Sequence, residues 1–165
     1  MAEAGEVLGW WFAASDELPH GDGRKVVLGE TLTVDGEIVP CERGLHASVD
    51  PFDALSYAPG EILYRVKLSG TIVAHGNNKH AASSRTAIAK RDATDMLRAF
   101  ARKMALSVIH LWDAPAIVRE YLETGDKNKR VAARDAARAA AWDAAQAAAR
   151  KLFNEMVAQL FEGDL

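Results

Sequence analysis

The sequence predicts an α+β fold: a small mixed or antiparallel sheet with one short helix, followed by a C-terminal bundle of two or three helices. Residues 62–68 alternate apolar and mostly polar side chains, which is typical of a strand with one buried face. From Asp92 onward apolar residues recur at helical spacing, and the alanine-dense residues 131–161 favour a long helix. These patterns divide the chain into a β-rich α+β domain, residues 1–80, and a helical region, residues 81–165, that packs on it or forms an oligomer interface.

Short β-prone runs alternate with turn residues in the first half of the chain. The expected strands are residues 9–14, 25–28, 31–34 and 37–40. Asp35-Gly36 is a turn-forming pair, so we expect the last two of these strands to form a tight hairpin. Trp10 and Trp11 are adjacent, and we expect one ring in the core and the other over a sheet edge or a helix. After residue 68, Ser69-Gly70 is expected to break the strand before residues 71–74 resume it.

One short helix is expected between these strands. Asp50 is suited to cap a helix that has Pro51 at its first position. We therefore expect a helix of about two turns over residues 51–57, ended by Pro59-Gly60.

Two or three helices are expected in the C-terminal region. The first covers residues 92–112, and its apolar stripe consists of Met96, Leu97, Phe100, Met104, Val108 and Leu111. The second is expected to be capped by Asp113 and to end at residues 124–126. The third covers residues 127–161, with a stripe formed by Trp142, Ala145, Ala149, Phe153, Met156 and Leu160. This last helix packs within the molecule or pairs with a second copy as a homodimer.

Composition limits the compartment and the kind of site. No apolar run reaches the roughly eighteen residues of a membrane span, and the N-terminus carries acidic residues where a secretory signal carries basic ones. Cys41 is the only cysteine, which excludes a disulfide framework and a Cys-based zinc site within one chain. We therefore expect a cytoplasmic protein.

Charge is unevenly distributed along the chain. Residues 1–75 carry twelve Asp/Glu and five Lys/Arg, a net charge of −7, whereas the remainder carries eleven and fifteen, a net charge of +4. Such asymmetry can orient the molecule on a charged partner.

Candidate catalytic side chains lie near the run Gly44-Leu45-His46-Ala47-Ser48. His46 and Ser48 alternate on an extended segment and share a face, so a proton-transferring imidazole would stand near a hydroxyl nucleophile. Tyr57 follows on the short helix, and His20 lies in an earlier turn. The alternative is that His46 and Ser48 bind buried backbone groups at a strand-to-helix turn. We expect no metal and no cofactor, because no histidine pair has metal-binding helical spacing and no phosphate-binding loop is present.

Basic residues concentrate from Lys79 to Lys103, a stretch that contains seven basic and two acidic residues. Arg91, Arg98 and Arg102 are expected on one broad helix face. The candidate binding residues are Arg85, Lys90, Arg91, Arg98 and Arg102, which suit the phosphates of a nucleic acid. The alternative is a solvated basic face, because the aromatic residues typical of single-strand binders are not interleaved.

The chain resembles an uncharacterised family of small bacteriophage and prophage proteins. The resemblance covers most of the chain and consists of Cys41, the runs at 44–48, 54–60 and 63–70, and the alanine-rich tail after Thr124-Gly125-Asp126. It implies a protein encoded on a mobile element.

Residues 43–70 also look like the central part of ADP-ribosyltransferase folds. The matching positions are Gly44, Leu45, His46, Ala47, Ser56 and Tyr57, and His20-Gly21 is similar to the His-Gly pair next to nicotinamide in that family. The chain departs from the pattern because His46 replaces the stacking tyrosine and residues 76–91 contain no acidic residue for the catalytic position. The resemblance implies NAD as a cofactor and an altered active centre.

Together these observations predict a non-enzymatic binding module, made by a phage or prophage, that docks on a host protein or complex and acts, for example, as an anti-CRISPR-type inhibitor of host defence. One alternative is an ADP-ribosyltransferase-like enzyme that uses NAD. Another is an accessory protein that contacts nucleic acid through residues 79–103.

Overall fold

The structure, a computed structural model, describes residues 3–20 and 22–144. The chain divides into two compact units, residues 1–97 and residues 98–165. The first unit contains the sheet and one short helix, and the second contains helices, so the predicted α+β class and the order of its parts are confirmed.

Among the described residues of the first unit, six strands form one antiparallel sheet. They are β1 (Glu3–Ala4), β2 (Val7–Ala13), β3 (Thr31–Thr33), β4 (Leu45–Ala47), β5 (Ile62–His75) and β6 (Lys79–Asp92). The long β5 pairs with β1 and β2 on one side and with β6 on the other, and β6 then pairs with β3 and β4. The predicted division after residue 80 falls within β6.

The hairpin of β5 and β6 differs from the prediction at two points. Ser69-Gly70 does not break β5; the register shifts between Ser69 and Ile72, and Gly70 takes a φ of 75°. An extra residue is absorbed there as a bulge because the partner strand continues. Strand β6 itself was not predicted, since its small and polar residues have weak β-propensity.

The predicted strands at 25–28 and 37–40 are wrong. Lys25 and Leu28 make only isolated bridges, to Glu17 and Ala87. Strand β3 pairs with β6, so Asp35-Gly36 does not join a hairpin. Strand β3 forms its ladder hydrogen bonds with the long β6, and not with residues 37–40, which follow it in the sequence.

A single bridge closes the sheet on itself. The Trp10 amide donates to the Ser48 carbonyl at 2.7 Å, and the Ser48 amide donates back at 3.0 Å. Strands β2, β5, β6 and β4 therefore form a closed circuit, which we call the strand ring. Gly9 lies at this seam, where an added Cβ would be 2.8 Å from the Ala47 Cβ and 3.0 Å from the Ser48 carbonyl oxygen. The absence of a side chain at Gly9 lets the two strands approach.

The two faces of the sheet bury separate clusters. One cluster contains Tyr64, Val66 and Leu68, with Trp11 packed against it. The other contains Phe12, Ala54 and Ala93, with Trp10 packed against it. The adjacent tryptophans thus lie on opposite faces, as the alternation of a strand requires.

The short helix α1 (Pro51–Leu55) begins as predicted. Asp50 caps it, because its carboxylate accepts the Phe52 amide at 2.7 Å. The helix ends at Leu55, two residues earlier than expected, and only Ala54 is buried.

The helices of the second unit follow the predicted order with shifted ends. They are α2 (Thr94–Ser107), which begins before the unit boundary, a 3-10 turn (Ile109–Leu111), α3 (Ala116–Thr124) and α4, residues 130–144 as far as the description extends. Asp113 does not cap α3, whose first turn follows Pro115 without a side-chain cap, whereas Gly125 ends it at a φ of 70°. Most of the predicted stripe on the last helix, from Ala145 to Leu160, lies outside the described residues.

Candidate functional site

A small depression lies beside the seam of the strand ring. Its cavity volume is about 30 Å³, and it is open to solvent on one side. Its lining comes from β2, β4, the segment around α1 and the start of β6, and consists of Trp10, Trp11, Phe12, His46, Ala47, Ser48, Ala54, Tyr57 and Lys79. None of these lining residues is acidic.

His46 is held neutral at the edge of this depression. Its Nε2 accepts the Cys41 backbone amide at 3.2 Å, so the neutral ring carries its proton on Nδ1. Burial, with smaller contributions from the positive charges of Lys79 and Arg85, lowers the pKa of His46 to about 4. This imidazole therefore accepts a hydrogen bond at neutral pH but carries no charge.

Lys79 supplies the positive charge of the depression. Its Nζ lies 4.2 Å from the centre of the Tyr57 ring and donates to the Cys41 thiol at 3.2 Å. The Tyr57 hydroxyl donates to Asn78 Oδ1 at 3.1 Å, and the His75 Nε2 lies 4.0 Å from the Cys41 sulfur. An ammonium, a thiol, an imidazole and a phenol thus lie close together, and of these four groups the ammonium of Lys79 and the phenol of Tyr57 belong to residues that line the depression.

A buried arginine contacts two of the residues that line the depression. Arg85 on β6 is 4% exposed; its Nη1 donates to the His46 carbonyl at 2.7 Å, and its Cζ lies 3.8 Å from the centre of the Trp11 ring. Burial lowers the pKa of Arg85 to about 9, which leaves the guanidinium charged at neutral pH. Its Nη2 has no hydrogen-bond partner among the described residues. Arg85 therefore fixes both the backbone of His46 and the ring of Trp11.

A polar chain continues from the Trp11 ring. Trp11 packs on Tyr64 with ring centres 5.1 Å apart, and the buried Tyr64 hydroxyl donates to Asp16 at 2.7 Å. Asp16 pairs with Lys90 at 2.5 Å, and the hydrogen bonds from Lys90 and Tyr64 hold the pKa of Asp16 below its usual value. Lys90 is thus committed to an ion pair within the first unit.

The structure brings three of the four catalytic candidates into one depression: His46, Ser48 and Tyr57. Ser48 is buried, and its backbone makes the bridge to Trp10. His20 is exposed at a φ of 63° and does not line the depression, although its charge contributes to lowering the pKa of His46. The His46 imidazole does accept a backbone amide, but the donor is the exposed Cys41, which precedes β4 and is not part of the strand-to-helix turn.

The candidate binding residues do not lie on one element. Arg85 is buried, and Lys90 and Arg91 lie on β6. Arg91 therefore does not share a helix face with Arg98 and Arg102, because it precedes α2 and takes part in the ladder with Leu63. The extended pairing with β5 overrides the helical spacing of these arginines.

Sequence reasoning missed the roles of Lys79 and Cys41. Lys79 reaches the depression through pairing, because Ala47 lies opposite His80 in the ladder between β4 and β6, and Cys41 contacts both Lys79 and His46. No local pattern signals this contact, because the two strands are more than thirty residues apart. Among the described residues no cluster of three or more His, Cys, Asp or Glu is arranged to bind a metal.

The state of His46 predicts a pH dependence of stability. Its pKa is lower in the folded chain, about 4, than the ordinary 6.5, so the unfolded chain binds more protons between these values. We expect the midpoint of urea unfolding to fall as the pH is lowered from 6.5 to 4, and to fall less in His46→Gln, whose amide does not titrate. Equal slopes in the two proteins over this window would contradict the assignment, and losses below pH 3.8 belong to carboxylates such as Asp16.

Comparison with known proteins gives one match. Residues 21–99 match the family model of a domain of unknown function (DUF7666), and this range includes β3 to β6 but neither β2 nor most of the helices. No curated protein and no solved structure matches the chain. These comparisons support neither the phage origin nor the ADP-ribosyltransferase resemblance, so both remain predictions. No helix among the described residues has the length and hydropathy to cross a membrane.

Proposed function

We propose that this protein is a binding module that docks on an acidic segment of another protein through the depression beside the strand ring. The observation that carries the proposal is the position of Lys79: its ammonium stands over the Tyr57 ring, at a site lined by aromatic side chains and by no acidic residue. An acidic side chain that enters this site would meet a cation whose surroundings are already partly dehydrated, where ion pairs are stronger than at an open surface.

The aromatic lining supports a protein partner over a free anion. Trp10 and Phe12 contribute apolar lining to the depression, and Tyr57, 45% exposed, lies at its rim. Aromatic residues and one well-placed cation are the composition of a binding hot spot. The phage resemblance adds that the partner is a host protein, for example part of a defence system, and that the module acts in the bacterial cytoplasm.

Charge reversal at Lys79 tests the proposal. We expect Lys79→Glu to weaken binding of a short fluorescein-labelled polyglutamate peptide, and recovery of a partner from bacterial lysate, by at least about tenfold. Arg91→Glu is the matched control, because it makes the same charge change on the same strand at the opposite end. We expect it to leave binding unchanged.

Two results would overturn this proposal. Equal losses in Lys79→Glu and Arg91→Glu would show that the overall charge of the strand, and not the depression, attracts the partner. Absence of any partner and of peptide binding at low salt would remove the binding module itself. Binding that falls steeply with salt and requires Arg91, Arg98 and Arg102 would favour the nucleic-acid alternative.

A transferase that uses NAD is the second candidate. Its support is that His46, Ser48 and Tyr57 line the same depression as Trp10 and Phe12, whose side chains lie on one face of the sheet. Incubation with labelled NAD and lysate separates the candidates: label transfer that is lost in His46→Ala and kept in Arg98→Ala favours the enzyme. Absence of transfer in the wild-type protein favours the binding module.

A further inference from the structure

Arg85 is a charged side chain within the strand ring that has no carboxylate partner among the described residues. It is buried, and its guanidinium lies against the Trp11 ring on the face of the sheet that also buries Tyr64. Burial lowers the pKa of Arg85, and the group that raises it is the Tyr64 phenol; no carboxylate of the described chain contributes. The guanidinium therefore lies among aromatic and apolar side chains as an isolated positive charge.

Asp16 does not compensate for this charge. Its carboxylate accepts the Tyr64 hydroxyl and forms an ion pair with Lys90, so the negative charge of Asp16 is already balanced. A charge that is removed from water is stabilised only when an opposite charge or hydrogen-bond acceptors replace the lost hydration. Arg85 has one such acceptor, the His46 carbonyl.

Two buried side-chain polar atoms lack a hydrogen-bond partner among the described residues, and both belong to β6. They are Arg85 Nη2 and His80 Nδ1. The Nη1 atom of the same guanidinium donates to the His46 carbonyl, and His80 lies opposite Ala47, the next residue of β4. His80 is two residues from the buried Ala82, so its side chain lies on the same face of the strand. The two atoms therefore approach the same stretch of β4.

The chemistry of these two atoms determines which ligand suits them. Nη2 of a guanidinium is always a donor, and a neutral imidazole with its proton on Nδ1 is a donor as well, so the ligand is an acceptor. An anion suits the site better than a water molecule, because it also compensates for the buried positive charge. Arg85 is only 4% exposed, which leaves no opening for a large organic anion.

We propose that the strand ring binds a halide ion, chloride under ordinary conditions, at Arg85 Nη2 and beside His80 Nδ1. This site is separate from the depression, because Trp10 and Phe12 lie on the other face of the sheet. The bound ion supplies the negative charge that the described residues around Arg85 do not, and it thereby stabilises the closed ring.

Unfolding of the full chain at constant ionic strength tests the site in solution. Sodium chloride replaces sodium gluconate, so that the chloride concentration changes while the total salt stays fixed. Between about 2 and about 200 mM chloride, a site with a dissociation constant of about 20 mM lowers the unfolding equilibrium constant about tenfold. We expect this decrease in the wild-type chain, and we expect bromide to act in the same way.

Arg85→Met is expected to abolish the response to chloride, because it removes both the charge and the donor. Arg91→Met is the matched control, since it makes the same substitution on the same strand at an exposed position. We expect it to respond as the wild-type chain does. Equal responses in all three proteins would show a general salt effect on folding and would overturn the site.

Anomalous scattering from crystals of the wild-type chain grown in bromide locates the ion directly. This measurement needs no variant, so it decides the matter even where Arg85→Met does not fold. We expect a bromide peak within hydrogen-bond distance of Arg85 Nη2. An ordered water molecule in that position would overturn the proposal. A bromide peak without any response to chloride in solution would show binding at crystal concentration only, and would overturn it as well.

Discussion

Gly9→Ala is expected to open the seam of the strand ring and to lower the free energy of unfolding by about 1–3 kcal/mol, the usual cost of overpacking. The new Cβ would be 2.8 Å from the Ala47 Cβ and 3.0 Å from the Ser48 carbonyl oxygen, and neither neighbour is the end of a long side chain that could turn away. The strands must therefore separate at the Trp10–Ser48 bridge. Urea unfolding, followed by tryptophan fluorescence, measures the loss.

Gly5→Ala is the control for this variant. A Cβ at Gly5 would meet no atom within 4 Å, so the substitution should be neutral or slightly stabilising. Gly9→Ala should also weaken peptide binding at the depression, because Ser48 and Ala47 form part of its lining. If both variants unfold at the same urea concentration, the close approach at the seam does not contribute to stability.

Arg85→Ala is expected to be the second damaging substitution, with a loss of about 2–5 kcal/mol as for other large buried side chains cut back to alanine. It leaves a cavity against the Trp11 ring and removes the donor of the hydrogen bond to the His46 carbonyl. Arg85→Met should recover much of this stability, because it fills the space and does not bury a charge that lacks a carboxylate partner.

The two Arg85 variants distinguish the contribution of Arg85 to stability from its role in positioning the backbone of His46. Neither restores the hydrogen bond to the His46 carbonyl, so we expect both to weaken peptide binding, including Arg85→Met where the fold is largely kept. Urea unfolding together with peptide anisotropy measures both effects. If Arg85→Met binds as tightly as the wild-type protein, the guanidinium does not position the lining.

The site could be predicted only in part. Alternation along the extended segment predicted that His46 and Ser48 share a face. The capping signal of Asp50 predicted where α1 begins, and Tyr57 follows that helix in the sequence. Lys79 and Cys41 could not be assigned to the same place. Their meeting depends on the ladder between β4 and β6, and β6 has no sequence pattern strong enough to be recognised as a strand.

The sequence by itself determined the α+β class, the cap of α1, the period of β5 and the helical character of the C-terminal region, because these depend on local propensity and on the spacing of apolar residues. Only the tertiary structure decided that β6 is a long strand, that Arg85 is buried, and that Trp10 and Ser48 close the sheet. These features depend on pairing between segments distant along the chain, and the free energy of that pairing exceeds the weak local preference of the residues involved. For the same reason the depression, with Lys79 beside His46, exists only once the strands are assembled.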